Sequence, residues 1–311
     1  MPNPVSRPPD LWPALPLREW NETYHILHMW TQIVGKIRLA QSPPVNHWWN
    51  VTLYVTSHGL TTSPMPYGSA TFEIYFDFLE HQLVISKDNG EVRTIELGGL
   101  SVAGFHQKLM ETLHSMGLDV KIWPVPVEVA NPIRFDQDNA GRFDPEQALR
   151  FWRVLIQVNR VFAEFRSGFI GKASPPHFYW GAFDHAVTRF SGRLAPRHPG
   201  VPGVPDFITH EAYSHEVSSC GFWPGGGSID SAAFYSYAYG EPQGFKDYPV
   251  NPPESYYSKD LGEFLLPYDA VRTADSPDQK LLQFLESTYE AAATCARWDR
   301  TALERRLPFV A

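Results

Sequence analysis

Apolar and polar residues alternate strictly through TFEIYFDF (71–78), with Phe72, Ile74, Phe76 and Phe78 on one side and Glu73, Tyr75 and Asp77 on the other. A period of two marks a half-buried strand. The stretch 47–59, HWWNVTLYVTSHG, alternates the same way and predicts another strand. Residues 82–97 read as a hairpin turning at Asp88-Asn89-Gly90. Strands are also expected over 177–192, 215–223 and 232–240, and extended chain over 121–129 and 263–271.

Elsewhere the period lengthens to that of a helix. Ile26, Trp30, Ile33, Val34 and Ile37 predict a helix over 22–40, stopped by Pro43-Pro44. Val102, Phe105, Leu109, Leu113 and Met116 predict a second, ended by Gly117. Asp144 before Pro145 is an N-cap signature for a third, running to about residue 169. Ser276-Pro277-Asp278 opens the last, with Leu281, Leu282, Leu285, Tyr289, Ala292 and Trp298 along one side.

Two halves with the same element order follow. Each has a helix ending in IVGK or FIGK, a Pro-Pro, a Trp five residues on (Trp48, Trp180), a Val-Thr, more strands and a closing helix. The alignment pairs Phe72-Glu73-Ile74 with His215-Glu216-Val217 and suggests an internal duplication. The expected fold class is α+β, with antiparallel sheets and amphipathic helices on their apolar faces. The expected organisation is a Pro-rich arm over 1–21, one α+β half over 22–143 and another over 144–311, together one compact unit, with a Pro/Gly-rich insertion at 194–207.

Composition narrows the partners. The formal net charge of −8 opposes a phosphate backbone, so no nucleic acid is expected. Two cysteines, no apolar leader and no membrane-length apolar run point to a cytoplasmic protein without membrane association. Neither GxxxxGK[ST] nor GxGxxG occurs, and no cofactor is implied. Oligomeric state is left open.

HMWTQIVGK, PPVNHWW, GLTTSP, TRFSGR, SHEVSSCGFWPG and GEFLLPYD together resemble an uncharacterised bacterial protein family catalogued as a domain of unknown function. The resemblance spans roughly residues 11–305. It implies no activity and no catalytic residues.

Candidate chemistry must therefore come from the residues. In HEAYSHEVSSCGFWPGGG, His210 and His215 are five apart, which suits neither a helical zinc motif nor one strand face. A metal would need His215 or Glu216 joined by the distant His177 and His185. Cys220 with His215 would need a bend, because five strand residues span about 16 Å. Glu73 and Glu216, equivalent in the duplication, are the carboxylate acid/base candidates, with His215 beside them. Arg189 and Arg193 would anchor an anion, with Lys36 near. Trp48, Trp180, Tyr235 and Tyr237 would wall the pocket, although each taken singly is as readily core.

The expectation is an enzyme acting on a small anionic organic metabolite in a cleft lined by polar strand faces. The alternatives are a non-catalytic small-molecule-binding protein and a metal-dependent enzyme using His215 and Glu216. Glu216, not His210, is expected to be the sensitive residue of its stretch.

Overall fold

The computed structural model describes residues 10–305 apart from 202–203 and 227–228. Residues 1–9 of the expected arm, two residues of the insertion, Gly227 and residues 306–311 lie outside the described residues.

Helix α1 (Leu17–Gln41) leads through a short 3-10 turn (Asn46–Val51) into β1 (Tyr54–Val55), β2 (Gly59–Thr61), β3 (Met65–Tyr67), β4 (Ala70–Asp77), β5 (Gln82–Lys87), β6 (Val92–Glu96) and helix α2 (Val102–Ser115). The second half starts with α3 (Pro145–Ser167). It continues through β7 (His177–Tyr179), β8 (Asp184–Leu194), α4 (Asp206–Ala212), β9 (His215–Trp223), β10 (Ala233–Tyr239), β11 (Tyr256–Ser258) and β12 (Glu263–Pro267). It ends with α5 (Tyr268–Arg272), α6 (Pro277–Cys295) and α7 (Arg300–Leu303). The fold is α+β. Both sheets are antiparallel, in the orders β1-β2-β4-β5-β6, with β3 also on β4, and β11-β12-β10-β9-β8-β7. They meet at one bridge, where Leu53 and Phe178 exchange N–H···O bonds of 2.9 Å.

The hydrophobic pattern sets the layers. Phe72, Ile74 and Phe76 of β4 and Leu83 and Ile85 of β5 are buried. Phe105 of α2 stacks between Phe76 and Trp30 of α1. In the second sheet Val187, Cys220 and Phe222 face the helix layer of α3 and α6. Ser101 caps α2 by accepting from Gly104 N–H and Asp144 caps α3 by accepting from Glu146 and Gln147 N–H, whereas Ser276 before α6 makes no such bond. No helix among the described residues is long and apolar enough to cross a membrane.

Several local expectations change. Helix α1 begins at Leu17, and Trp12, Leu15 and Trp20 are buried, so the N-terminal segment from residue 12 is core rather than arm. Residues 47–53 do not form a strand, because His47 and Trp48 take left-handed backbone conformations, φ 59° and 62°. The expected strand 177–192 splits at Trp180–Phe183, and 206–212 form a helix inside what reads as insertion and loop. Residues 121–129 form no strand, and 263–271 divide into β12 and the start of α5. Both halves run from a helix through strands to a closing helix, but α4, α5 and α7 of the second have no counterpart in the first, and the local equivalences do not hold. Trp48 sits in the 3-10 turn against Phe207, whereas Trp180 follows β7 and packs on Gly35. Glu73 lies inside β4, whereas Glu216 lies at the start of β9.

Candidate functional site

The face of the second sheet turned away from α3 and α6 carries a cavity of about 500 Å³. That volume suits a small organic molecule. Its floor is a set of cross-strand rows: Ala186, Gly221 and Tyr235, then Thr188, Ser219 and Tyr237, then Phe190 and Val217. Asp184 begins the floor on β8, and Glu263 edges it on β12. Three other segments roof it: Glu128 from the Pro-rich loop, His47 and Trp49 from the 3-10 turn, and Ala212 and Tyr213 at the C-terminal end of α4.

Three carboxylates from distant parts of the chain converge here. Burial pushes both Asp184 and Glu263 up to about 7, and each is raised further by the negative charge of its neighbours. Glu128 is raised by burial too, although it keeps solvent access through the cavity mouth. The charges of all three reach the Tyr213 hydroxyl, whose pKa burial and those charges raise. That hydroxyl hydrogen-bonds with Tyr237, and the Tyr235 hydroxyl donates to Asp184. No cation figures among the groups that shift these acids.

Local backbone makes this convergence possible. Gly221 lies between Ala186 and Tyr235, and a Cβ there would overlap the Tyr235 ring. The missing side chain lets the ring lie across β9 and reach Asp184 on β8. Gly181 does the same for Glu128, whose carboxylate occupies the space a Cβ would fill. Glu128 and Phe183, which precedes Asp184, adopt left-handed φ values of 55° and 60°. Such conformations cost on the order of 1 kcal/mol each and persist where packing dictates them.

Gly221→Ala should therefore turn Tyr235 off Asp184 at a cost of about 1–3 kcal/mol in stability. A hydroxyl donating to a carboxylate favours the ionised form, so losing it should raise the Asp184 pKa further. Carbon-detected NMR titration of the Asp184 carboxyl checks this, and an unmoved midpoint would contradict it.

The other end of the floor is different in sign. His47 packs on Phe190, the ring centroids 4.5 Å apart. Its Nδ1 lies 3.1 and 3.2 Å from the Glu211 and Ala212 carbonyls. Carbonyls only accept, so Nδ1 carries the proton and Nε2 receives one from the Lys172 ammonium at 2.6 Å. Burial, then Lys172, lowers the His47 pKa and keeps the ring neutral. Lys172 lies over the Trp49 and Phe190 rings at 5.3 and 5.2 Å and is open to solvent.

Of the residues expected from sequence, Tyr235 and Tyr237 line this cavity. The others lie elsewhere. Glu73 is on the first sheet, accepting from the Thr61 hydroxyl. Glu216 is held by Arg193 at 2.7 Å and by the Ser191 hydroxyl at 2.9 Å, which occupies both Glu216 and Arg193 in an internal pair. Arg189 points to the helix side, only 1% exposed, against Phe165 and Glu286. It cannot reach a ligand in the cavity, because β8 alternates and its neighbour Thr188 takes the cavity face. Lys36 is buried beside Trp180, whose indole N–H donates to the Val51 carbonyl. Trp48 packs on Phe207 outside the lining.

The expected metal set does not assemble. His185 stacks on Phe162 and bonds to Asn159 of α3. His177 is enclosed by Trp49, Tyr54 and Tyr179. Burial lowers both to about 3, so both are neutral. His215 hydrogen-bonds Ser214 and lies edge-on to His47. Among the described residues no three His, Cys, Asp or Glu side chains are grouped to hold an ion. Cys220 is buried between Ser236 and Thr288, and burial pushes its thiol up to about 11, so it is a poor nucleophile.

The sequence reading missed Glu128, Asp184 and Glu263. They stand far apart in the chain and form no local motif. One signal was present for two of them: Glu128 and Glu263 are lone acids in the apolar stretches PVPVEVA and GEFLLP, where an acid is costly unless it has a task.

No match is found among curated proteins or among solved structures. Residues 12–305 match the model of a family of unknown function, DUF5996, and the chain belongs to that family.

Proposed function

We propose that the protein binds a small organic cation, an amine or alkylammonium compound, in the acidic aromatic cavity of its second sheet. One observation carries this reading: Asp184, Glu128 and Glu263 converge, with no Lys or Arg in the lining among the described residues, beside Trp49, Tyr179, Tyr213, Trp223, Tyr235 and Tyr237. Carboxylates supply the counter-charge, and aromatic faces attract a desolvated cation. The anionic ligand expected from sequence rested on Arg189 and Arg193, both used internally.

The pH dependence has a definite sign. With Asp184 and Glu263 near 7, the empty cavity takes up protons as the pH falls below neutrality. An ammonium ligand needs the ionised form and must displace those protons. Its affinity should rise roughly tenfold or more from pH 5.5 to 8. Calorimetry with octylamine and octyltrimethylammonium, in buffers of different ionisation enthalpy, measures affinity and proton release together. Affinity that is flat or falling over this range would remove the reading.

A second reading shares the site. Carboxyls that titrate near neutrality also suit general acid and base catalysis on the bound molecule. Turnover lost in Asp184→Asn while cation affinity survives would favour it.

A further inference from the structure

The cavity floor is bipolar. Asp184 begins it, and Phe190, under His47 and Lys172, ends it on the same strand. Six residues of strand separate them, roughly 20 Å between Cα positions. Side chains leaning inward shorten the distance a ligand must span. Between the ends the cavity is polar: Thr188 and Ser219 share a hydrogen bond of 2.9 Å, the Tyr213 and Tyr237 hydroxyls share one of 3.1 Å, and Glu263 edges the floor on β12.

The basic end is unpaired. Lys172 forms no ion pair among the described residues, and its hydrogen-bond partner is the neutral His47. An ammonium has three N–H donors, so two remain for something else. Although open to solvent, it stands over two rings of the cavity wall. The His215 imidazole lies beside His47 at the same end. Glu216, the nearest carboxylate in sequence, is committed to Arg193.

From these opposed ends we infer that the ligand is itself bipolar: an extended organic molecule with an ammonium at the Asp184 end and a carboxylate or phosphate at the Lys172 end. Short peptides and long-chain amino acids have this form. The inference rests on the cation reading above and adds a second anchor to it.

The test compares alkylamines of six, eight and ten carbons with the amino acids that carry a carboxylate on the far carbon. Affinities are measured by calorimetry at physiological salt and pH 8, on wild type and Lys172→Gln. Lys172 is exposed, so the substitution leaves the fold intact. In wild type the added carboxylate should improve affinity about tenfold at the best chain length and less at shorter ones, as a charge-assisted bond forms. In Lys172→Gln that ratio should fall to about one. If alkylamines bind and the carboxylate gives no gain at any length, the bipolar inference fails and the cation reading stands. A gain that survives Lys172→Gln also overturns it. If neither series binds, both fall together.

Discussion

Asp184→Asn should make the protein more stable at pH 8 while removing its affinity for organic cations. Asp184 is 8% exposed, and burial moves its pKa from 3.8 to about 7. The folded state therefore holds this proton more tightly than the unfolded state. Below pH 4 both states are protonated and nothing is lost. Between about pH 4 and 7 the unfolded chain ionises first, and stability drops by at most ~1.4 kcal/mol per pH unit. Above about 7 the loss is complete. Water in the cavity reduces the full figure, leaving on the order of 1–3 kcal/mol. Asparagine keeps the shape, accepts the Tyr235 hydroxyl and never ionises. Its melting temperature should exceed wild type by roughly 2–6 °C at pH 8 and match it at pH 4. Alkylammonium affinity should drop at least tenfold. A variant that is less stable at pH 8, or that binds as wild type does, would show that Asp184 is an ordinary structural acid.

Arg189→Ala should produce the opposite pattern, a large loss of stability with the cavity intact. The guanidinium is sandwiched by Phe165 and Tyr289, at 3.5 and 4.3 Å from their ring centroids. It donates to the Phe165 carbonyl in the last turn of α3 and to the Glu286 carboxylate of α6. It thus ties both helices to the strand they cover. Truncation loses a desolvated cation–π stack, uncaps a helix carbonyl and opens a cavity. Together these amount to about 3–5 kcal/mol. Glu286 is 48% exposed and can turn to water, so Glu286→Gln should cost under about 1 kcal/mol. Urea denaturation of both variants separates the cases. Comparable losses would mean that the ion pair, not the buried stack, holds the layers together.

The elements were more legible than the site, for a physical reason. Strand β4 and helices α2 and α3 follow from local period and caps, which a short window contains. The failures lie where tertiary contacts override the pattern. Residues 47–53 alternate like a strand, yet the turn at His47 and Trp48 is fixed by carbonyls from residues 211 and 212. Tyr235 and Tyr237 could be read because spacing on a strand fixes their shared face. Arg189 could not, because a strand pattern gives two faces without saying which one a helix covers. Glu128, Asp184 and Glu263 meet only after the second sheet and the Pro-rich loop have folded together, and no spacing along the chain anticipates that.

The bridge between Leu53 and Phe178 also covers part of two sheet edges. Every sheet ends in strands whose outer N–H and C=O groups invite another chain to pair. Here the strands with a free edge are β1, β3, β6, β7 and β11. Joining Leu53, next to β1, to Phe178 of β7 turns two of those ends on each other. Of the remaining three, β3 and β11 are three residues long, and β6 carries Arg93, paired with Glu91. Short or charged edges make poor templates, so two antiparallel sheets offer little backbone for aggregation.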